Sequence, residues 1–428
     1  MIYILMLVVF ILGYLAIALE HPIKVDKAAS ALIIGALGWA LFAFSGMDHH
    51  LISHELKHHL VDVAEILFFL LGAMTLVELI DVHEGFTIIT DKIATRNRVK
   101  LMWILCIITF FFSAVLDNLT TSIVMAALIS KLIKDKNDLW MFAGMIIISA
   151  NAGGAWSPIG DVTTIMLWIG GQITAANIIT SIIIPSLVCF LIPLAYVSFK
   201  LKGDLAPLVI DENKEKNAFR VNKSDRNLIF FLGVAGLLFV PIFKTVTHLP
   251  PYLGILFSLG VLWVVTEILH SKKSAEVKSK LSVIAVIKKV DMATIFFFMG
   301  ILLAVASLQS MGHLDDLAII LNDTFNGNIY AINIIIGLLS SIVDNVPLVA
   351  GAMGMYPIGT GDFAVDGLFW EFLAYCAGTG GSVLIIGSAA GVAVMGILKI
   401  DFIWYLKKIS VLALMGYIAG AATYILMQ

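Results

Sequence analysis

Long apolar runs recur along this sequence at 2–19, 28–46, 62–82, 138–170, 176–199, 227–243, 251–270, 291–311, 367–398 and 402–427. A helix needs about 20 mostly apolar residues to cross the hydrocarbon of a bilayer, and in lipid a lone segment closes its backbone hydrogen bonds only as a helix. The runs therefore predict an all-α polytopic membrane protein. Of the 428 residues 60% are hydrophobic and 13% charged, where soluble domains carry about 25% charge. That balance excludes a soluble enzyme, a secreted disulfide scaffold and a nucleic-acid binder. The net charge of −3 is too slight to name a partner, and Cys106, Cys189 and Cys376 lie far apart without metal or disulfide spacing. The opening run has no basic start and ends at Glu20-His21-Pro22, so it reads as a span and not as a cleaved signal.

Two runs, 138–170 and 367–398, exceed one plain helix and are rich in glycine. Two further stretches, 99–134 and 328–356, break at a polar centre into halves of about 15 residues, too short to cross comfortably, and read as re-entrant hairpins. All of the 27 lysines and arginines except Lys57 and Lys244 fall in one set of loops. By the positive-inside rule that set is cytoplasmic and both termini lie outside. The expected home is a bacterial inner membrane.

The second half repeats the first at a shift of 227–228. Leu67–Gly72 meets Ile295–Gly300, Ser113–Asn118 meets Ser340–Asn345, and Asn151–Gly154 meets Gly378–Gly381. Each half holds five spans, one of them broken, plus a hairpin. Five is odd, so the second repeat (227–428) enters the membrane inverted relative to the first (1–200), with a cytoplasmic linker at 201–226. Inverted repeats with glycine-interrupted helices in matching places mark secondary transporters, whose sites lie near the midplane. For Gly72 and Gly300 close helix packing is sufficient reason.

The four breaks carry the chemistry. The hairpins turn at Ser113, Asp117, Asn118 and at Ser340, Asp344, Asn345. The broken helices hold Asn151, Asp161, Thr163 and Thr164 in the first repeat and Thr379, Ser382 and Ser388 in the second. Carbonyls released by glycine, with hydroxyls, amides and carboxylates, make an oxygen cage for a hard cation such as Na+ or Li+. No lysine or arginine stands in any break. Each acid costs roughly 2.5–3.5 kcal/mol at mid-membrane, so bound cations or protons must neutralise Asp117, Asp161 and Asp344. Capping of a helix start is the structural alternative at Asp161. A metal ion needs deprotonated ligands, so its binding expels protons. If only the loaded site changes its facing, the outcome is exchange of one cation for the other.

These residues resemble the NhaD-type sodium/proton antiporters of the ion transporter superfamily. Asn151-Ala-Gly-Gly-Ala-Trp-Ser-Pro-Ile-Gly-Asp-Val-Thr-Thr164 is similar to that family's most distinctive stretch, and the Ser/Asp/Asn sets at 113–118 and 340–345 resemble its paired hairpin motifs. The similarity spans roughly residues 60–400. It implies a homodimer with a scaffold and an elevator-like transport domain, exchanging Na+ or Li+ for H+ without a cofactor. The alternative is a carrier for a small anion or neutral acid, of the dicarboxylate symporter or arsenite efflux type. A channel is a third reading, disfavoured by hairpins that enter from both sides.

Outside the breaks, Glu78 and His83 at the cytoplasmic end of the third span are candidates for a proton relay or a pH sensor. Glu65 and Glu371 are expected near span ends and solvated. His50, His54 and His58 share one face if their loop is helical, a surface stripe with zinc capture as its functional alternative.

Overall fold

The computed structural model describes residues 1–90, 93, 95–205 and 221–428. Most of the expected linker, 206–220, lies outside the described residues, as do Lys92, Lys214, Lys216 and Arg220 of the basic set. Among the described residues the protein is helical, with an isolated bridge between Asn97 and Asp204 and no strand ladder.

Helices α1 (Ile2–Ala18), α2 (Lys27–Ala43) and α3 (His49–Val82) precede the pair α4 (Arg98–Leu116) and α5 (Asn118–Leu132). Helices α6 (Lys136–Ala155) and α7 (Val162–Ile169) flank the first glycine-rich break, and α8 (Ala175–Lys200) closes the first half. The second half runs α9 (Lys223–Thr247), α10 (Pro251–His270), α11 (Met292–Ser310) and α12 (His313–Phe325). It continues through the pair α13 (Ile329–Leu339) and α14 (Asn345–Met355). Helices α15 (Leu368–Gly380) and α16 (Ala389–Leu398) flank the second break, followed by α17 (Phe402–Lys408) and α18 (Ser410–Met427).

Among the described residues seven helices (α3, α4, α8, α9, α10, α11 and α18) are long and apolar enough to cross a membrane, or eight spans if α16 and α17, bent by 118°, count as one. This is an integral membrane protein. Helices α1 and α2 have 17 residues each, about 26 Å at 1.5 Å per residue, the short edge of a span. Outward faces are apolar where lipid would lie: Phe231, Ile242, Phe257 and Ile268 of α9 and α10 are all exposed.

Three expectations change. The run 402–427 is two helices, because Asp401 caps a short α17 that ends in Lys407-Lys408, and those charges stay out of the apolar α18. Helix α4 has 19 residues, so its length does not by itself argue for a re-entrant path, whereas α13 and α14 at 11 each are too short to cross alone. Helix α3 starts at His49, capped by Asp48, and runs 34 residues without interruption. Glu65 therefore lies well inside a continuous helix, near the start of its apolar run.

Packing draws the interrupted helices inward. Helix α4 packs on α6 and α13 on α15, while α2 packs on α11 and α8 on α18. Helix α6 is buried throughout from Phe142 to its end and α15 from Phe369 to its end, which seats both glycine breaks at the centre of the protein.

Candidate cation-binding site

Each break ends where a new helix begins, and four free N–H groups at a helix start need partners. Asp117 caps α5, accepting from the Thr120 N–H and hydroxyl, each at 2.8 Å. Asp344 caps α14 by accepting from the Val346 N–H at 3.3 Å, and Ser388 caps α16 by accepting from the Gly391 N–H at 3.1 Å. Asp161 caps α7 with a reciprocal bond between Thr164 and the Asp161 backbone. Capping, the structural alternative at Asp161, thus holds at all three acids. Asp117 does it with a φ of 76°, a region uncommon for any residue but glycine.

Capping does not exhaust Asp161. Its carboxylate, almost fully buried, accepts from the Thr163 N–H (2.9 Å) and hydroxyl (2.8 Å). It also accepts from the Asn118 amide and, at 3.3 Å, from the Asn345 amide. Those two asparagines stand at the tips of the two helix pairs, so both tips converge on one carboxylate. Asn118 also donates to the Asn151 side-chain oxygen at 3.1 Å, and the Asn151 amide donates to Ser382 (2.9 Å) and Ser388 (3.0 Å). A continuous polar chain therefore joins the first break to the second across the core. Every hydrogen bond to the Asp161 carboxylate is one it accepts, as an acceptor-only ionised carboxylate does.

Contacts recur at an interval of 227. The Ser113 hydroxyl donates to the Ala150 carbonyl as Ser340 does to Ala377. Gly153 lies against the backbone of Phe110 as Gly380 lies against that of Gly337. Asp117, Asp161 and Asp344 line one cavity together with Asn118 and Asn345. A second cavity shares Met74, Leu119 and Thr120 with it and is walled by Glu78, Asp81, Lys289 and Asp291.

Comparison with known proteins bears on this arrangement. Residues 5–370 match a family profile described as citrate transporter. The chain is 43% identical over 98% of its length to sodium/proton antiporter 1 of Arabidopsis thaliana, 72% of which is covered. It is 40% identical to sodium/proton antiporter 2 of the same plant, over 98% of both chains. With the Na(+)/H(+) antiporter NhaD of Vibrio cholerae it shares 30% identity over 99% of its own length and 91% of the relative's. The chain belongs to the NhaD-type sodium/proton antiporter family.

In this NhaD-type chain one residue at the acids was not foreseen. Lys27, at the start of α2, places its ammonium 3.3 Å from the Asp344 carboxylate and 4.2 Å from the centre of the Phe297 ring. Asp344 is therefore not unaccompanied. A lysine counted with a loop reaches a break that contains no basic residue of its own, and no local pattern signals that. Of the singled-out hydroxyls Thr163 bonds the Asp161 carboxylate and the other six lie off the carboxylates. Ser113 and Ser340 tie each helix pair to its neighbour, Thr379 bonds the Tyr375 carbonyl of its own helix, Thr164 bonds the Asp161 backbone, and Ser382 and Ser388 accept from Asn151. Glu371 is buried and not solvated, because Asn177, Ser181 and Tyr424 all donate to it.

Glu78 sits 4.0 Å from Lys289 at the wall of the second cavity. His83, one residue past α3, is fully buried. Its Nδ1 lies 2.7 Å from the Leu79 carbonyl oxygen and its Nε2 lies 2.9 Å from Nε2 of His270, the rings stacked. Since Nδ1–H must donate to that carbonyl, His83 Nε2 accepts and His270 donates. Burial pushes the His83 pKa down to about 4, so the ring is neutral at physiological pH. A histidine with a lowered folded pKa contributes its full stability above its ordinary value near 6.5 and loses it as pH falls toward 4. The expected result is a Tm that declines through that window in detergent. His83→Gln should flatten part of the decline, and an equal decline in both proteins would contradict the assignment.

Proposed function

We propose that this chain exchanges Na+ or Li+ for H+ by alternating access, with Asp161 at the centre of the cation site and Asp117 and Asp344 beside it. The observation that carries the reading is the convergence of the Asn118 and Asn345 amides on the buried Asp161 carboxylate. Those amide nitrogens occupy the place a cation would take. Turning each amide by half a turn offers its oxygen instead, so the same residues satisfy the carboxylate when the site is empty and coordinate the ion when it is full. Thr163, Thr164, Asn151 and Ser382 hold this arrangement, and a proton replaces the cation on the acids. Glu78 serves as a relay at the wall of the adjoining cavity; His83, neutral across the physiological range, is not a sensor there.

The same reading takes 1–200 and 227–428 as inverted repeats around the linker, in a bacterial inner membrane with both termini outside. It is supported by contacts that pair residues of one expected face. Arg98 donates to the Lys202 carbonyl and Trp140 to that of Leu398 on the basic side, while Thr174 donates to Asp366 and Tyr3 to Asp316 on the other. A homodimer with an elevator-like transport unit completes it.

The matching profile described as citrate transporter favours the second reading, a small-anion carrier. The chemistry of the breaks opposes it, since an anion wants guanidinium groups or free helix N-termini, and here three of the four starts are capped by carboxylates. Proteoliposomes separate the two. With an imposed pH gradient, Na+ or Li+ should collapse the gradient and citrate should not. No cation-dependent change would overturn the antiporter, and citrate uptake would establish the alternative.

A further inference from the structure

We propose that the part of α3 preceding its apolar run binds a divalent transition metal of the zinc class through His58, His59 and Asp62. Because α3 is one uninterrupted helix from His49, Glu55, His58, His59 and Asp62 stand at intervals of three and four and form a single stripe. The nitrogen and oxygen donors of His58, His59 and Asp62 lie within 4.8 Å of one another. His58 Nδ1 is 3.7 Å from the Asp62 carboxylate, and Glu55 reaches to 3.9 Å of His59 Nε2. Zinc bonds of about 2.1 Å in a tetrahedral site put neighbouring donors roughly 3.4 Å apart, so small side-chain rotations close the set and leave a fourth position to Glu55 or water. Two imidazoles and a carboxylate suit zinc better than magnesium or calcium, which favour oxygen donors alone.

The stripe is prepared for an incoming ion. His59 is mostly buried, its Nε2 3.2 Å from the Ser310 hydroxyl and its ring against Trp39, whereas His58 and Asp62 are open to solvent. Contact with Ser310 and Trp39 holds the His59 ring in place beside the two open ligands. The three residues stand at a cavity that also takes in Glu65 and the far ends of α7 and α14, the helices capped by Asp161 and Asp344. The sequence stripe His50, His54, His58 contributes only its last member.

Full-length protein in detergent, stripped with chelator, is titrated with Zn2+ by calorimetry and with Co2+ by visible absorption. One metal per chain is expected, with affinity weakened at least about tenfold in His58→Ala/Asp62→Asn and unchanged in His50→Ala/His54→Ala. The proposal fails if the native protein takes up no zinc, or if the first double variant binds as the native protein does. Cation exchange measured without zinc should be equal in all three proteins. A native protein that binds zinc yet does not exchange cations would count against the transport reading alone.

Discussion

Asp161→Asn is expected to reduce cation-driven proton exchange by about two orders of magnitude while leaving the protein folded and inserted. Asparagine caps helices as well as aspartate does, so the start of α7 survives. What is lost is the charge that the Asn118 and Asn345 amides address. Removing the carboxylate leaves a bound cation without its charge partner, a loss of about 3–5 kcal/mol. Each 1.4 kcal/mol is tenfold in an equilibrium, so occupancy falls by roughly a hundredfold or more. The substituted amide also turns an NH2 toward groups that donate to the carboxylate of Asp161, the Thr163 hydroxyl and the Asn345 amide among them. The measurement is Na+-dependent collapse of a pH gradient in proteoliposomes, with circular dichroism and elution volume as controls for folding. Exchange at the native rate would remove Asp161 from the centre of the site.

Gly380→Ala is expected to cost most of the folded protein. A Cβ there would be driven into the carbonyl of Gly337, and one at Gly153 into the carbonyl of Phe110. Both obstacles are backbone, so no side chain can swing aside. The helix pairs would have to back away, breaking the Ser340–Ala377 and Ser113–Ala150 hydrogen bonds that seat their tips. Overpacking a tight core costs about 1–3 kcal/mol or more, and here the displaced element carries Asn345. Gly260 supplies the control, because an added Cβ there meets open space and alanine favours helix by about 1 kcal/mol. In detergent Gly380→Ala should lower the Tm sharply or aggregate, while Gly260→Ala should match or exceed the native protein. Equal stability of the two variants would show that the approach of α15 to α13 is not tight.

Much of the candidate site is legible in the sequence, for a reason that lipid imposes. Polar residues inside apolar runs are expensive, so Asp117, Asn118, Asn151, Asp161, Asp344 and Asn345 stand out against their surroundings, and glycine beside them marks helix ends. What sequence could not rank was the use of each hydroxyl. Thr163 and Thr379 both sit in broken helices, yet the first bonds the Asp161 carboxylate and the second its own Tyr375 carbonyl. Within a helix a threonine always has the carbonyl four residues back as a competing acceptor, and only its position relative to a cap decides the outcome.

Lys27 and Glu371 show the other limit. A lysine at a helix start looks solvated from its neighbours in the chain, and its approach to Asp344, 317 residues away, depends on how α2 crosses α11. Glu371 lies at the start of α15 and reads as a charged end, but Asn177, Ser181 and Tyr424 close over it from α8 and α18. The uncharged length of the runs, the one-sided placement of lysine and arginine, and the spacing of the breaks are properties of the chain alone, because transfer into lipid is evaluated segment by segment. Which amide meets which carboxylate, and which cation reaches it, is decided only when helices distant in sequence pack, because a buried charge takes its partner from whatever lies within a few ångströms, not from what lies next in the chain.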